Sequence, residues 1–89
     1  MRFKEYEWDD INIPHICRHA VTPQEVEEAC FNAPLIIKGG TNRYLVYGRS
    51  DSGRYLFIVA IYKDKNAIRP ITARNMTDVE RRLYNKKRG

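Results

Sequence analysis

Two runs rich in tyrosine and branched apolar residues, separated by a short polar turn, constrain the fold of this chain more than any other feature. The runs cover residues 43–50 and 54–63, and the turn between them is Asp51-Ser52-Gly53. Such composition favours extended strands, and a three-residue turn containing glycine favours an antiparallel hairpin. A second turn at residues 64–66 leads to a third extended run over residues 67–74. Because short turns join antiparallel neighbours, the sequence predicts an antiparallel meander.

Helix signals precede this meander. Thr22, Pro23 and Glu25 occupy the positions of a cap, a first-turn proline and a capping-box acid, which predicts a helix over residues 23–32. Its glutamates are expected to face solvent, namely Glu25, Glu27 and Glu28. An earlier helix is indicated by apolar residues on one helical stripe, at Ile13, Ile16, Cys17 and Ala20.

A last helix is predicted at the carboxyl end of the chain. Thr77 and Glu80 repeat the capping-box spacing, so this helix should begin at Thr77 and continue to about Lys86. The basic residues at about 86–89 are expected to form a frayed tail. Shorter extended segments are expected near the N-terminus, at Phe3, Tyr6 and Trp8, and over residues 35–38.

These elements define an α+β fold. Eighty-nine residues suffice for one domain with one core, so residues 1–89 are interpreted as a single domain. We expect a small antiparallel sheet of three to four strands with two N-terminal helices packed on one face. The C-terminal helix should lie over an edge of the sheet or against its opposite face.

Cysteine usage and hydropathy indicate the compartment. Cys17 and Cys30 match no zinc or disulfide spacing, and both are expected to be small buried hydrophobes in a reducing environment. The N-terminus carries acids early and lacks the apolar stretch of a signal peptide. The longest apolar run, residues 55–62, is too short to cross a bilayer. A cytoplasmic location without membrane contact is therefore the expectation.

Charge is distributed unevenly along the chain, whose formal net charge is +5. Residues 1–28 hold seven acids and three bases, a balance of −4, and residues 29–89 hold thirteen bases and four acids, a balance of +9. Such asymmetry attracts polyanions to one part of the surface, and nucleic acid is the polyanion that fits best. Ordinary solubility is the alternative explanation.

Arginine at the last strand–helix junction is the first candidate for function. Arg74 ends the predicted strand beside the helix start at Thr77, where the helix N-terminus favours anions. Its planar fork of N–H donors fits a phosphate. Arg69 lies five positions earlier, so the two side chains should face opposite sides unless Pro70 introduces an irregularity. Solvated arginines shielding a sheet edge are the alternative.

The hairpin carries three further arginines. Arg49 and Arg54 stand on either side of the turn, so their side chains can be neighbours. Arg43 lies six residues before Arg49, so the two share a face near opposite ends of one strand.

Histidine, glutamate and tyrosine side chains complete the candidate set. His19, at the end of the first predicted helix, could act as a general acid or base or contact a phosphate. His15 shares its helical face, but no third ligand stands at a suggestive spacing, so no metal site is predicted. Glu80 is first a capping acid. Tyr84 could stack on a base, or it could seal the helix against the sheet, which we favour.

Glycine-rich phosphate loops, metal-ligand clusters and paired catalytic carboxylates are missing from the sequence. We therefore expect neither a cofactor nor a metal. Arginine, histidine and tyrosine suit RNA cleavage in which the 2′-hydroxyl attacks the neighbouring phosphate. The protein then needs only to align the groups, move a proton and stabilise charge on the phosphoryl oxygens.

Motifs over residues 6–84 resemble one known family. They read Trp8-Asp9, Asn12, Arg18-His19-Ala20-Val21-Thr22-Pro23-Gln24-Glu25-Val26, Arg43-Tyr44, Gly48-Arg49-Ser50, Gly53-Arg54-Tyr55-Leu56, Ile71-Thr72-Ala73-Arg74, Glu80-Arg81 and Tyr84. In this order and spacing they are similar to the BrnT toxins of type II toxin–antitoxin systems. Ala20 stands where that family usually has glycine, and Asn75-Met76-Thr77 replaces an alanine-rich segment.

The resemblance implies a RelE-like fold, ribonuclease toxicity and neutralisation by a ribbon-helix-helix antitoxin. Carried over residue by residue, it marks a set of catalytic candidates: His19, Arg49, Arg54, Arg74, Glu80 and Tyr84. Additional RNA contacts are expected from four basic residues: Arg43, Arg69, Arg81 and Lys86.

The leading hypothesis is thus a metal-independent endoribonuclease toxin. A non-catalytic nucleic-acid-binding module and a protein-interaction module remain open as alternatives. A homodimer and a toxin–antitoxin hetero-oligomer are both compatible with the sequence.

Overall fold

The structure is a computed structural model that describes residues 3–88, without the side chain of Arg88. Its elements in chain order are β1 (Glu5–Tyr6), α1 (Asn12–Cys17), α2 (Pro23–Phe31), β2 (Leu35–Gly40), β3 (Arg43–Arg49), β4 (Tyr55–Tyr62), β5 (Ala67–Asn75) and α3 (Asp78–Arg88). The predicted α+β class, hairpin and meander are confirmed. The last helix continues to Arg88, two residues beyond its predicted end near Lys86.

The sheet has five strands in the order β1-β5-β4-β3-β2. The expectation of three to four strands was wrong, and so was that of a purely antiparallel sheet, because β1 pairs with β5 in parallel. The extended segment expected near the N-terminus is present as β1, but its pairing with β5 was not predicted because the partner strand lies far along the chain. In the register of this pair, Glu5 is opposite Ala67.

The helices lie on both faces of the sheet. Helix α1 packs against β5, and α2 packs against β3 and β4, so the two N-terminal helices cover one face as predicted. The main core lies under them, with Ile16, Val26, Val46, Leu56, Ile58 and Ile68 fully buried. Helix α3 packs on β2 and β3 over a second cluster formed by Tyr47, Met76 and Tyr84. This helix was expected either over an edge of the sheet or against the opposite face, and it lies against the opposite face.

Both predicted capping boxes are present. At the start of α2, the Thr22 hydroxyl accepts from the Glu25 amide at 3.1 Å, and the Glu25 carboxylate accepts from the Thr22 amide at 3.0 Å. At the start of α3, Thr77 and Glu80 exchange the same two bonds at 3.2 and 2.9 Å. Each box satisfies N–H groups that a helix start leaves without intrahelical partners.

A β-bulge in β5 changes which side chains share a face. Ala60 is opposite Pro70 and Val59 is opposite Thr72, so Ile71 is the extra residue. Arg69 and Arg74 consequently point to the same face of the sheet, the face that carries α3. The irregularity allowed for at Pro70 is therefore real.

Close packing fixes α2 against β3. A Cβ atom on Gly48 would overlap the backbone carbonyl of Ala29 and lie 3.2 Å from the Ala29 Cβ, so glycine is required for this approach. Cys30 is buried as expected, but Cys17 is exposed, because the short helix α1 turns it away from the sheet. Among residues 3–88, no helix has the length and apolar character needed to cross a membrane.

Candidate functional site

A cleft of about 410 Å³ lies where the β3–β4 turn, the end of β5 and the first turns of α3 meet. Its lining consists of Gly53, Arg54, Tyr55, Asn75, Met76 and Arg81. Two of these side chains are guanidinium groups, and no carboxylate is among them. The cleft therefore has the charge and the hydrogen-bond donors that an anion requires.

Tyr55 organises the cations at this cleft. The Arg81 Cζ lies 4.0 Å from the centre of the Tyr55 ring, and the Arg49 Cζ lies 4.4 Å from it. Arg49 and Tyr55 are directly opposite in the register of the hairpin. The Nε and Nη2 of Arg49 also donate to the Gly53 carbonyl at 3.3 Å. Tyr55 belongs to one of the family motifs and was not predicted to be a site residue, although its position across the hairpin from Arg49 could have indicated it.

Arg54 is committed to holding the structure together. Its Nη1 donates to the Ala20 carbonyl at 2.6 Å and to the Glu25 carboxylate at 3.2 Å. Its Nη2 donates to the His19 carbonyl at 3.1 Å, and its Nε donates to the Asn75 side chain at 2.7 Å. This guanidinium therefore ties the loop after α1, the start of α2 and the end of β5 to one another. Of the predicted arginines, it has the least capacity left for a ligand.

Arg74 and Glu80 form a bidentate ion pair beside the cleft. The Arg74 Nη1 and Nη2 lie 2.8 and 2.9 Å from the two carboxylate oxygens of Glu80. The Arg74 hydrogen bonds hold the pKa of Glu80 below its usual value, and the Glu80 hydrogen bonds raise the pKa of Arg74. Arg74 also stacks over the Phe57 ring at 4.5 Å. Both predicted residues are therefore at the site, but each neutralises the other.

Tyr47 is a neighbour of this pair that sequence reasoning missed. Burial raises the pKa of its hydroxyl, Glu80 raises it further, and Arg74 opposes the change. The Tyr47 ring packs edge-on against Phe57 at 5.1 Å. The alternation of apolar and polar residues in β3 does not indicate that one of its tyrosines will lie near an ion pair between β5 and α3.

His19 lies in the turn after α1, and its side chain is exposed. It is joined to the cleft through its backbone carbonyl, which accepts the bond from Arg54. The adjacent Ala20 has a φ of 56°, in the left-handed region. A glycine adopts this conformation at lower cost, which explains why glycine suits this position.

Other predicted residues lie outside the cleft lining. Tyr84 is 1% exposed and its ring packs edge-on against Tyr55 at 5.9 Å, which agrees with the favoured interpretation of a residue that seals the helix against the sheet. Arg69 is bound by Asp9 at 2.6 Å and by Glu7 at 3.0 Å, beside β1. Two further basic residues are exposed elsewhere, Arg43 at the far end of β3 and Lys86 on α3.

The structure thus brings Arg49 and Arg81 to the Tyr55 ring, and Arg54 and Arg81 both line the cleft. The Arg74–Glu80 pair is joined to the cleft residue Asn75 by the bond from Arg74 to the Asn75 carbonyl. The hydrogen bonds from Arg69 hold the pKa of Asp9 below its usual value. The ion pair in turn neutralises Arg69 at the edge of the sheet. In the part of the chain from residue 3 to residue 88, no group of three or more histidine, cysteine or acidic side chains is placed to hold a metal ion.

The fold and the cleft define a small basic α+β protein with a cleft lined by two arginines, where the turn of its central hairpin meets the last helix. Residues 8–80 match the family described as the ribonuclease toxin, BrnT, of type II toxin-antitoxin systems. The chain belongs to this family, and the resemblance seen in the sequence is confirmed. A comparison with curated proteins gave no match. Membership of a toxin–antitoxin family implies an RNA substrate and an antitoxin partner.

Proposed function

We propose that this chain is a metal-independent endoribonuclease toxin that cleaves RNA by in-line attack of the 2′-hydroxyl on the neighbouring phosphate. The observation that carries the proposal is the cleft of about 410 Å³, which Arg54 and Arg81 line and whose residue Asn75 accepts a bond from the paired Arg74. The family supplies the substrate class, and the cleft supplies what the reaction needs most, which is positive charge where the phosphoryl oxygens become more negative.

Arg74 and Glu80 act as a unit in this proposal. Glu80 stays ionised because its pKa is held low, so it keeps Arg74 oriented at the end of β5. A phosphate that enters beside the pair competes with Glu80 for the N–H groups of Arg74. When the phosphate replaces Glu80 at one of these groups, Arg74 stabilises the transition state. The exposed His19, whose backbone carbonyl accepts a bond from the cleft residue Arg54, is the proton carrier, since an imidazole can act as a general acid and base.

An antitoxin completes the proposed function. A ribbon-helix-helix antitoxin is the partner that the family resemblance implies, and binding over the cleft would exclude RNA. The proposed assembly is a toxin–antitoxin hetero-oligomer. For this chain we propose a RelE-like fold. The C-terminal helix, which packs on the sheet face opposite to the N-terminal helices, supports this proposal.

Inducible expression tests the proposal. Wild type, Arg74→Ala and the control Arg82→Ala are induced in parallel, and growth and RNA integrity are followed in the same cultures. Arg82 is an exposed arginine on α3 outside the cleft lining. We expect growth arrest and RNA fragmentation for the wild type and the control, and loss of both effects for Arg74→Ala. Intact RNA during wild-type expression would refute the endoribonuclease assignment.

A non-catalytic RNA-binding module is the second candidate. The observation that favours it is the bidentate Arg74–Glu80 pair, in which the carboxylate of Glu80 neutralises the charge of Arg74. Purified protein would then bind RNA in a salt-sensitive manner and leave it intact over hours. RNA fragments that carry 2′,3′-cyclic phosphate ends would decide for the catalytic function.

A further inference from the structure

The arginines at the cleft differ in how many hydrogen-bond donors remain available. Arg54 uses Nε, Nη1 and Nη2 on protein acceptors, and Arg74 uses both terminal nitrogens on Glu80. Within residues 3–88, Arg81 makes no hydrogen bond or ion pair from its guanidinium, and Arg49 makes only two bonds of 3.3 Å to one carbonyl. The donors available to a ligand therefore belong to Arg49 and Arg81.

We propose that Arg49 and Arg81, stacked on Tyr55, form a phosphate-binding subsite for the backbone of single-stranded RNA. This inference rests on the proposed function for the choice of RNA, and it assigns the ground-state phosphate contact to arginines other than Arg74.

Stacking explains how two flexible side chains are held ready. A guanidinium over an aromatic ring is attracted by the ring's quadrupole while its N–H groups, which lie in its own plane, stay open to a ligand. The two Cζ atoms lie 4.0 and 4.4 Å from the same ring centre. Two like charges drawn to one ring repel each other, and the part of the chain that the structure describes offers neither of them a carboxylate partner. A bound phosphate would relieve this repulsion.

The same geometry indicates what the subsite recognises. Two guanidinium groups lie close to the Tyr55 ring and the Tyr84 ring packs edge-on against it at 5.9 Å, so the ring has no open face for a nucleobase. Recognition therefore proceeds through the phosphate and is independent of sequence at this position. Arg81 lines the cleft directly, and Arg49 is joined to it through its bonds to the carbonyl of the lining residue Gly53.

Binding of a labelled single-stranded 2′-O-methyl RNA tests the subsite. This probe keeps the phosphate backbone but lacks the attacking 2′-hydroxyl, so it reports binding without cleavage. Fluorescence anisotropy is measured for the wild type, Arg49→Ala, Arg81→Ala and Tyr55→Leu over a series of NaCl concentrations. Tyr55→Phe keeps the ring, and Arg82→Ala removes a matched exposed charge from the same helix.

Arg49→Ala and Arg81→Ala should each weaken binding about tenfold at 0.1 M salt, which is the loss expected for one charge-assisted contact. Each should also lower the slope of log K against log salt by about 0.7, the value for one phosphate on a single strand. Tyr55→Leu should weaken binding by a similar factor, whereas Tyr55→Phe and Arg82→Ala should change it less than about twofold.

Equal binding by Arg81→Ala and Arg82→Ala would overturn the subsite, as would a wild type that does not bind the probe. Failure of the proposed function is distinguishable from this failure. If the expected binding pattern is found but natural RNA stays intact, the subsite stands and the nuclease assignment falls. If RNA is cleaved and both arginine variants bind like the wild type, the subsite alone is refuted.

Discussion

Arg54→Leu should destabilise the fold more than loss of any other arginine on the β3–β4 hairpin. The substitution keeps an apolar stem but removes the donors to two backbone carbonyls, one carboxylate and one amide oxygen. Three separate segments of the chain lose their common attachment. The loop that carries His19 should consequently become the first part to open locally.

The magnitude follows from the exposure of these groups. A hydrogen bond from a charged donor contributes about 1.5–3 kcal/mol when it is well buried. The side chains of Arg54 and Glu25 are 25% and 24% exposed, and the two carbonyls belong to exposed residues, so water replaces part of each lost bond. We expect a total loss of about 2–3 kcal/mol in the free energy of unfolding, which corresponds to roughly 10–20 °C in Tm for a domain of this size.

Urea denaturation followed by circular dichroism measures this loss. Arg49→Leu is the matched control, since it lies across the same turn and loses only the two bonds of 3.3 Å to Gly53 and its ring contact. It should cost less than about 1 kcal/mol. A double-mutant cycle with Glu25→Gln should return a coupling of about 0.5–1 kcal/mol for the ion pair. An Arg54→Leu protein within about 0.5 kcal/mol of the wild type would refute the reasoning.

Three further substitutions have defined outcomes. Gly48→Ala places a Cβ against the Ala29 backbone, and urea denaturation should show a loss of about 3 kcal/mol or failure to fold. Ala20→Gly relieves a residue at φ 56° and should raise the free energy of unfolding by about 0.5 kcal/mol in the same assay. Glu80→Gln should reduce the loss of stability on acidification. The pKa of Glu80 is lower in the folded state, so its contribution is present above its unfolded value of about 4.3 and is lost as the pH falls below that value.

Each of these outcomes has a counterpart that contradicts it. A fully stable Gly48→Ala protein would mean that α2 can move away from β3. A destabilised Ala20→Gly protein would mean that the turn does not depend on the left-handed conformation. Equal losses between pH 6 and pH 3 for the wild type and Glu80→Gln, compared by chemical denaturation at each pH, would remove the Arg74–Glu80 pair as a source of acid sensitivity.

Local signals in the sequence predicted much of this fold. The two capping boxes, the tyrosine-rich hairpin and the third strand of the meander lie within a few residues of their predicted bounds, because each depends on neighbours along the chain. Features that depend on distant partners were wrong or left open. The N-terminal extended segment was predicted, but its parallel pairing with β5 was not, and the common face of Arg69 and Arg74 depends on one extra residue at Ile71.

The candidate site shows the same division. Sequence reasoning found the arginines, but it could not tell which of them would be used by the protein itself. Arg54 is occupied because the hairpin turn brings it against the start of α2, and Arg74 is occupied because α3 turns Glu80 back towards β5. The glutamates of α2 that were expected in solvent are half-buried and bonded instead. Glu27 accepts from the Trp8 indole at 2.8 Å, and Glu28 accepts from the Asp51 amide at 3.0 Å.

The order in which the strands are synthesised differs from their order in the sheet. The strands made first, β1 and β2, lie at the two edges, whereas the interior positions belong to β3, β4 and β5. Helices α1 and α2 thus leave the ribosome before the surface they cover has been made. The cleft is assembled from residues 53–81. A nascent chain that stops short of α3 lacks one wall of the cleft, so an activity carried by the cleft would require α3 to have been translated.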